Sequence, residues 1–182
     1  MKKHKAVFFD RDGVINKKPL PHSYILSWKE FKLLPYVKEA LVDLNQRGFL
    51  IVIVSNQRGI ARGMLRRKDL EEIHARMTGE LKKVGAEVNG VYYCPHNYSD
   101  NCNCRKPKPG MLLSAASDLN IDTSQSFMVG DSEDDIAAGK ESGCKTVLVL
   151  TGETEDVPQT KDWGYRPDFV IADLKGLQDV IS

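Results

Sequence analysis

The 182 residues carry 26 lysines and arginines against 25 aspartates and glutamates, a net charge of +1, and 41% of them are hydrophobic. That length and composition suit one domain with a real core, and a near-neutral chain lacks the overall field that draws proteins to nucleic acid or membrane surfaces. No apolar run approaches the ~18 residues of a membrane span, and the basic start leads into too short an apolar stretch for a signal peptide, so a cytoplasmic monomer is expected.

The first apolar run, Ala6-Val7-Phe8-Phe9, ends in Asp10-Arg11-Asp12-Gly13. A short run without polar alternation reads as a strand buried on both faces. The two aspartates must then emerge at its carboxyl end, where open parallel sheets bind ligands. Residues 17–34 have no period and read as a loop. Pro35 opens a helix with Val37, Leu41 and Leu44 on one face and Gly48 as its cap. Leu50 to Val54 is the clearest strand, and it ends in Ser55-Asn56-Gln57.

Asp69 with Glu72 predicts a capping box for a helix that turns Leu70, Ile73, Met77, Leu81 and Val84 inward before Gly85. Val91-Tyr92-Tyr93 is a third strand and leads into a Cys/His-rich loop. Pro109 fits the first turn of a helix that buries Met111, Leu112, Ala115 and Leu119. Phe127 to Gly130 is a strand ending at Asp131, and Ser132 caps a helix through Glu141, closed by Gly143. Strands at 146–150 and 169–171 and a short helix from about Leu174 follow, with residues 151–167 irregular and without an evident role. Alternating strands and helices predict a Rossmann-like three-layer α/β/α fold with a mainly parallel sheet, residues 1–182 forming a single domain.

On one edge of such a sheet Asp10, Asp12, Ser55 and Asp131 can meet. Asp10 and Asp131 are hard oxygen ligands suited to Mg²⁺. A carboxylate can also act as a nucleophile that forms an aspartyl-phosphate. A second acid two residues on can protonate the leaving oxygen and then activate water, while Ser55 and a lysine hold phosphoryl oxygens. Asp134 and Asp135 read as partners of a helix dipole.

Asp10-Arg11-Asp12-Gly13, Ser55-Asn56-Gln57, Arg105-Lys106-Pro107 and Gly130-Asp131-Ser132 follow one another like the four motifs of the haloacid dehalogenase superfamily of phosphatases, and residues 6–150 resemble that family. The resemblance implies that Asp10 is the nucleophile and Asp12 the general acid/base. It implies that Ser55 and Lys106 bind the phosphoryl group, with Mg²⁺ on Asp10, the Asp12 carbonyl and Asp131. A phosphate-binding module without turnover is the alternative of a different class.

Cys94, His96, Cys102 and Cys104 form C-x-H and C-x-C pairs with five residues between them. Three thiolates and an imidazole make a closed tetrahedral set for structural Zn²⁺ over residues 94–104. Free thiols or a Cys94–Cys104 disulfide are the alternatives. Cys144 is expected in the core, and His4, His22 and His74 at the surface.

No stretch is long enough for a cap domain, so the fold is capless and loops 17–34, 56–66 and 94–106 must build the pocket. Arg11, Tyr24, Asn56, Gln57, Arg58 and Arg105 are the expected substrate contacts. The resemblance extends to capless, zinc-loop members that act on a sugar bisphosphate or on histidinol phosphate. Arg58, Arg62 and Arg105 favour the small-molecule sugar bisphosphate, since a second phosphate needs such donors and a cationic amine is repelled by them. A nucleic-acid end-phosphatase is disfavoured because no basic stripe is present.

Overall fold

Strand β1 (Ala6–Phe9) is fully buried, and its side-chain alternation divides the core in two. Val7 and Phe9 pack with Ile51, Ile53, Leu41, Ile73 and Met77 on one side. Ala6 and Phe8 pack with Val52, Val54, Leu112 and Ala115 on the other. Each phenylalanine buried in this way stabilises the fold by about 1.5–3 kcal/mol. The computed structural model describes residues 3–20, 23–154 and 156–181, so His22 lies outside the described residues.

The other strands are β2 (Leu50–Asn56), β3 (Gly90–Cys94), β4 (Phe127–Gly130), β5 (Lys145–Val149) and β6 (Phe169–Ile171). They form one sheet in the order β3-β2-β1-β4-β5-β6, and every pair is parallel. Helices α1 (Val37–Gln46), α2 (Arg67–Lys83) and α5 (Leu177–Val180) supply buried residues to the first core. Helices α3 (Gly110–Asp118) and α4 (Glu133–Glu141) supply the second, which gives the three expected layers. No helix among the described residues is long and apolar enough to cross a membrane.

Two local expectations fail. Helix α2 begins at Arg67 with no side-chain cap, because Asp69 is taken by the Arg66 guanidinium at 2.6 and 2.9 Å instead of by a backbone N–H. Val84 caps the end of α2 and is 43% exposed, not inward. The stretch 151–167, which shows no role in the sequence, begins by closing over the sheet edge: Thr151 Oγ1 donates to the Gly13 carbonyl at 2.7 Å.

The strand order reverses at β1, whose neighbours are β2 and β4. Crevices outside the carboxyl ends of strands at such a switch point are where ligands bind in open α/β sheets. The ends of β1, β2 and β4 carry Asp10, Ser55 and Asp131.

Candidate active site

These strand ends open into a pocket of about 370 Å³ lined by residues that include Asp10, Asp12, Lys18, Tyr24, Ser55, Asn56, Arg105, Lys106 and Asp131. The bend after β1 that brings it together needs glycine. Gly13 has a φ of +105°, and a Cβ there would fall 2.3 Å from Asp131 Oδ2.

Lys106 is buried and its ammonium is fully engaged. It donates to Asp10 Oδ1 at 2.6 Å, Asp135 Oδ1 at 2.5 Å and the Val54 carbonyl at 2.9 Å. Asp135 in turn accepts from the backbone N–H and hydroxyl of Ser132 at 3.1 and 2.6 Å, which fixes it at the start of α4. Asn56 at the end of β2 holds the backbone of Lys106 from both sides, accepting from its N–H at 3.1 Å and donating to its carbonyl at 3.0 Å.

Burial pushes the Asp10 carboxyl up to about 7; the Lys106 charge opposes the rise, and the charges of Asp135, Asp131 and Asp12 add to it. Burial likewise lifts Asp131 to about 6 with help from Asp135 and against Lys18. Asp135 is also buried, but Lys106 and its hydrogen bonds outweigh the burial and hold its carboxyl below the usual range. Asp12 is held low as well: burial raises it, but the Arg11 charge and hydrogen bonds from Asn16, Arg11 and Gln57 prevail. Two strand-end acids of one motif thus have opposite tendencies.

Beside this pocket, the loop after β3 brings three thiols and one imidazole together. Cys94 Sγ lies 3.6 Å from both Cys102 Sγ and His96 Nδ1, Cys104 Sγ lies 3.5 Å from Cys102 Sγ, and His96 Nδ1 lies 3.2 Å from Cys104 Sγ. The cysteines are free, so the Cys94–Cys104 disulfide is ruled out, and the four ligand atoms form a cluster able to hold a metal ion. The loop then delivers Arg105 into the pocket with its guanidinium 4.2 Å from the Tyr98 ring centre. Its Nε and Nη1 are buried without a hydrogen-bond partner among the described residues. Unpartnered cationic donors at the wall of a pocket suit an anionic group of a ligand.

The sequence profile of the HAD-hydrolase-like family matches residues 103–177. A D-glycero-beta-D-manno-heptose-1,7-bisphosphate 7-phosphatase of Pasteurella multocida is 41% identical, over 98% of this chain and 97% of that protein. A protein of the same name from Haemophilus ducreyi is 43% identical, over 98% of both chains. The chain belongs to the haloacid dehalogenase superfamily. Its fold superposes on the crystal structure of the D,D-heptose 1,7-bisphosphate phosphatase from B. bronchiseptica, complexed with magnesium and phosphate. The TM-score is 0.88, with 32% identity and 96% of each chain covered.

Several of the expected contacts of this superfamily member sit elsewhere than its sequence suggests. Arg11 does not reach the pocket. It is 0% exposed, its Nη2 donates to both Asp12 oxygens at 2.9 and 2.8 Å, and its Nη1 meets His74 Nε2 at 3.1 Å. Its guanidinium is held between the Asp12 carboxylate and the middle of α2, on the side of Asp12 away from the pocket lining. His74 is buried there and not at the surface, and burial with the Arg11 charge lowers it to about 3.

Gln57 is also buried, with its amide bridging Asp12 Oδ2 at 3.0 Å and Ser55 Oγ at 2.8 Å. Arg58 donates to Asn97 Oδ1 at 2.7 Å and lies over the Tyr98 ring, outside the residues that line the pocket. Tyr24, Asn56 and Arg105 do line it. Lys18 and Glu153 enter the site from segments to which the sequence assigns no part in it, and Asp135, expected as a helix-dipole partner that could stand behind the metal ligands, holds Lys106. For Asp135 the Ser-x-x-Asp spacing from Ser132 was the available signal.

Ligand oxygens of Asp10, Asp131 and Asp135 lie within 4.8 Å of one another, all three residues buried. Clustered hard oxygens, with the Asp10 and Asp131 carboxyls driven upward by burial and neighbouring negative charge, fit a divalent cation such as Mg²⁺.

Proposed function

We propose that this chain is a magnesium-dependent phosphatase that removes the 7-phosphate of D-glycero-β-D-manno-heptose 1,7-bisphosphate, leaving the sugar 1-phosphate on the route to nucleotide-activated heptose. The named relatives support the substrate and its anomer. The observation that carries the reading is Arg105, with two buried, unpartnered donors at the wall of the pocket that holds Asp10 and Lys106. A monophosphate needs only the catalytic lysine and serine; a second phosphate accounts for the arginine.

In this reading Asp10 attacks phosphorus and the bond from phosphorus to the sugar oxygen breaks, forming an aspartyl-phosphate. Asp12 protonates the departing oxygen, then takes a proton from the water that hydrolyses the intermediate and frees Asp10. An Asp12 carboxyl held low is ready for the second task, and the negative charge of the incoming phosphate beside it favours the protonated form for the first. Ser55 accepts from Gln57, so its own O–H is free to donate to a phosphoryl oxygen, and the Lys106 ammonium, held by Asp10, Asp135 and the Val54 carbonyl, sets its positive charge beside the phosphoryl group. Asp10, the Asp12 carbonyl and Asp131 would hold Mg²⁺, which supplies charge neutralisation at the phosphoryl group.

Cys94, His96, Cys102 and Cys104 hold a structural Zn²⁺. A tetrahedral ion with bonds of ~2.3 Å to sulfur separates its thiolates by about 3.8 Å, close to the spacing of these sulfurs. One equivalent of zinc in the purified protein checks this. The enzyme works as a cytoplasmic monomer of one domain, on a sugar whose two charged phosphates keep it from leaving the cell unaided.

A phosphate-release panel with Mg²⁺ tests the substrate. It compares both heptose bisphosphate anomers, fructose 1,6-bisphosphate, histidinol phosphate and a short 3′-phosphorylated oligonucleotide. The β-heptose bisphosphate should give the highest kcat/KM, and a higher value for histidinol phosphate overturns the assignment.

A further inference from the structure

Lys18 stands on a carboxylate that the proposed mechanism needs. It comes from the loop after β1, beyond the catalytic motif, and reaches across to the end of β4. Its ammonium donates to Asp131 Oδ2 at 2.7 Å and to Glu153 Oε2 at 2.9 Å. The same Asp131 oxygen also accepts the backbone N–H of Glu153 at 2.6 Å.

The two ammonium groups of the pocket differ in freedom. Lys106 is buried between three acceptors and has nowhere to go. The Lys18 side chain is 31% exposed, on a flexible four-carbon stem, and its second partner Glu153 is 66% exposed at the rim. Lys18 can therefore leave Asp131 while Glu153 keeps its charge compensated, and Asp131, whose side chain is 1% exposed, cannot stay ionised there without a cation.

We propose that Lys18 is a built-in counter-ion that competes with the divalent cation for Asp131, so that metal binding and release of Lys18 are coupled. This rests on Asp131 being a ligand of Mg²⁺. With the metal absent, Lys18 neutralises the buried carboxylate and keeps the pocket ordered. With the metal present, two cations at contact distance on one carboxylate repel each other, and the tethered one withdraws to Glu153. The cost of displacing Lys18 weakens the apparent affinity for the ion, and by thermodynamic reciprocity the ion weakens the Lys18–Asp131 contact by the same factor.

Titration calorimetry with Mg²⁺ alone, on the full chain dialysed free of magnesium and at fixed ionic strength, tests the coupling without recourse to turnover. Lys18→Met should bind Mg²⁺ at least tenfold more tightly than the parent protein. Lys17→Met removes the same charge one residue away, on an exposed side chain, and should change the affinity less than twofold. The reciprocal readout is acylation of Lys18 by an amine-reactive reagent, followed by mass spectrometry: saturating Mg²⁺ should raise labelling at Lys18 several-fold and leave Lys17 unchanged.

Equal affinities for the Lys18→Met and Lys17→Met proteins, or weaker binding by Lys18→Met, overturn the proposal. Asp131→Asn separates the two layers of the argument. If it still binds Mg²⁺ like the parent, Asp131 is not a ligand and the reading beneath the proposal fails. If it loses Mg²⁺ while Lys18→Met behaves like Lys17→Met, the competition alone is wrong.

Discussion

Replacing Arg105 with alanine should cost far more on a sugar bisphosphate than on an aryl phosphate. The two donors without partners, Nε and Nη1, lie on different edges of the guanidinium and can each donate a charge-assisted hydrogen bond to phosphate oxygens. Hydrogen bonds to charged groups contribute about 1.5–3 kcal/mol each, so a pair that is partly offset by ordering of the sugar is worth about 3 kcal/mol. At 1.36 kcal/mol per decade this is roughly a hundredfold in kcat/KM, expressed mainly in KM.

Phosphate release from heptose 1,7-bisphosphate and from p-nitrophenyl phosphate, measured side by side, gives the comparison. The aryl phosphate should lose less than about threefold, since it has no second phosphate for Arg105 to bind. Thermal unfolding provides a control: a side chain whose donors are unsatisfied in the free protein should be removable with little loss of stability. Equal losses on both substrates would refute the role in binding and leave Arg105 as a general positioning group for Lys106.

Asp10→Asn should abolish hydrolysis with the fold intact, and its melting temperature should not fall, because burial already disfavours the charged form of Asp10; residual turnover above about one part in a thousand would exclude Asp10 as the nucleophile. Stripping zinc with a chelator, Mg²⁺ being restored afterwards, should remove activity indirectly by loosening the loop that carries Arg105 and Lys106, and full turnover in zinc-free protein would sink that link. His74, lowered from 6.5 to about 3 by burial and Arg11, stays neutral in the folded state while the unfolded chain takes up a proton below pH 6.5. Its contribution to stability is therefore complete above pH 6.5 and is lost as pH falls toward 3, about 2 kcal/mol by pH 5. Urea unfolding at pH 5 and 7.5 should show this loss in the parent protein and a smaller one in His74→Gln; identical pH dependence of the two would contradict it.

Much of the site was legible in the chain itself. An apolar run cannot hold carboxylates, so Asp10 and Asp12 had to lie at a strand end, and the same logic placed Ser55 and Asp131. The order of the four motifs and the Cys/His spacing needed no tertiary knowledge either, because metal-ligand and phosphate-binding geometry is written in short local spacings. What the sequence could not decide is which partner each side chain takes. Arg11, flanked by pocket residues, turns inward to Asp12 and His74.

Asp135 is sequentially a helix-start acid, and only the packing of α4 beside the end of β4 puts it on Lys106. Lys18 and Glu153 lie in segments without any pattern, and their meeting over Asp131 depends on where two loops of the folded chain cross. Local chemistry sets which groups are present. Burial and long-range distance decide what each of them is bonded to, and those exist only in the folded state.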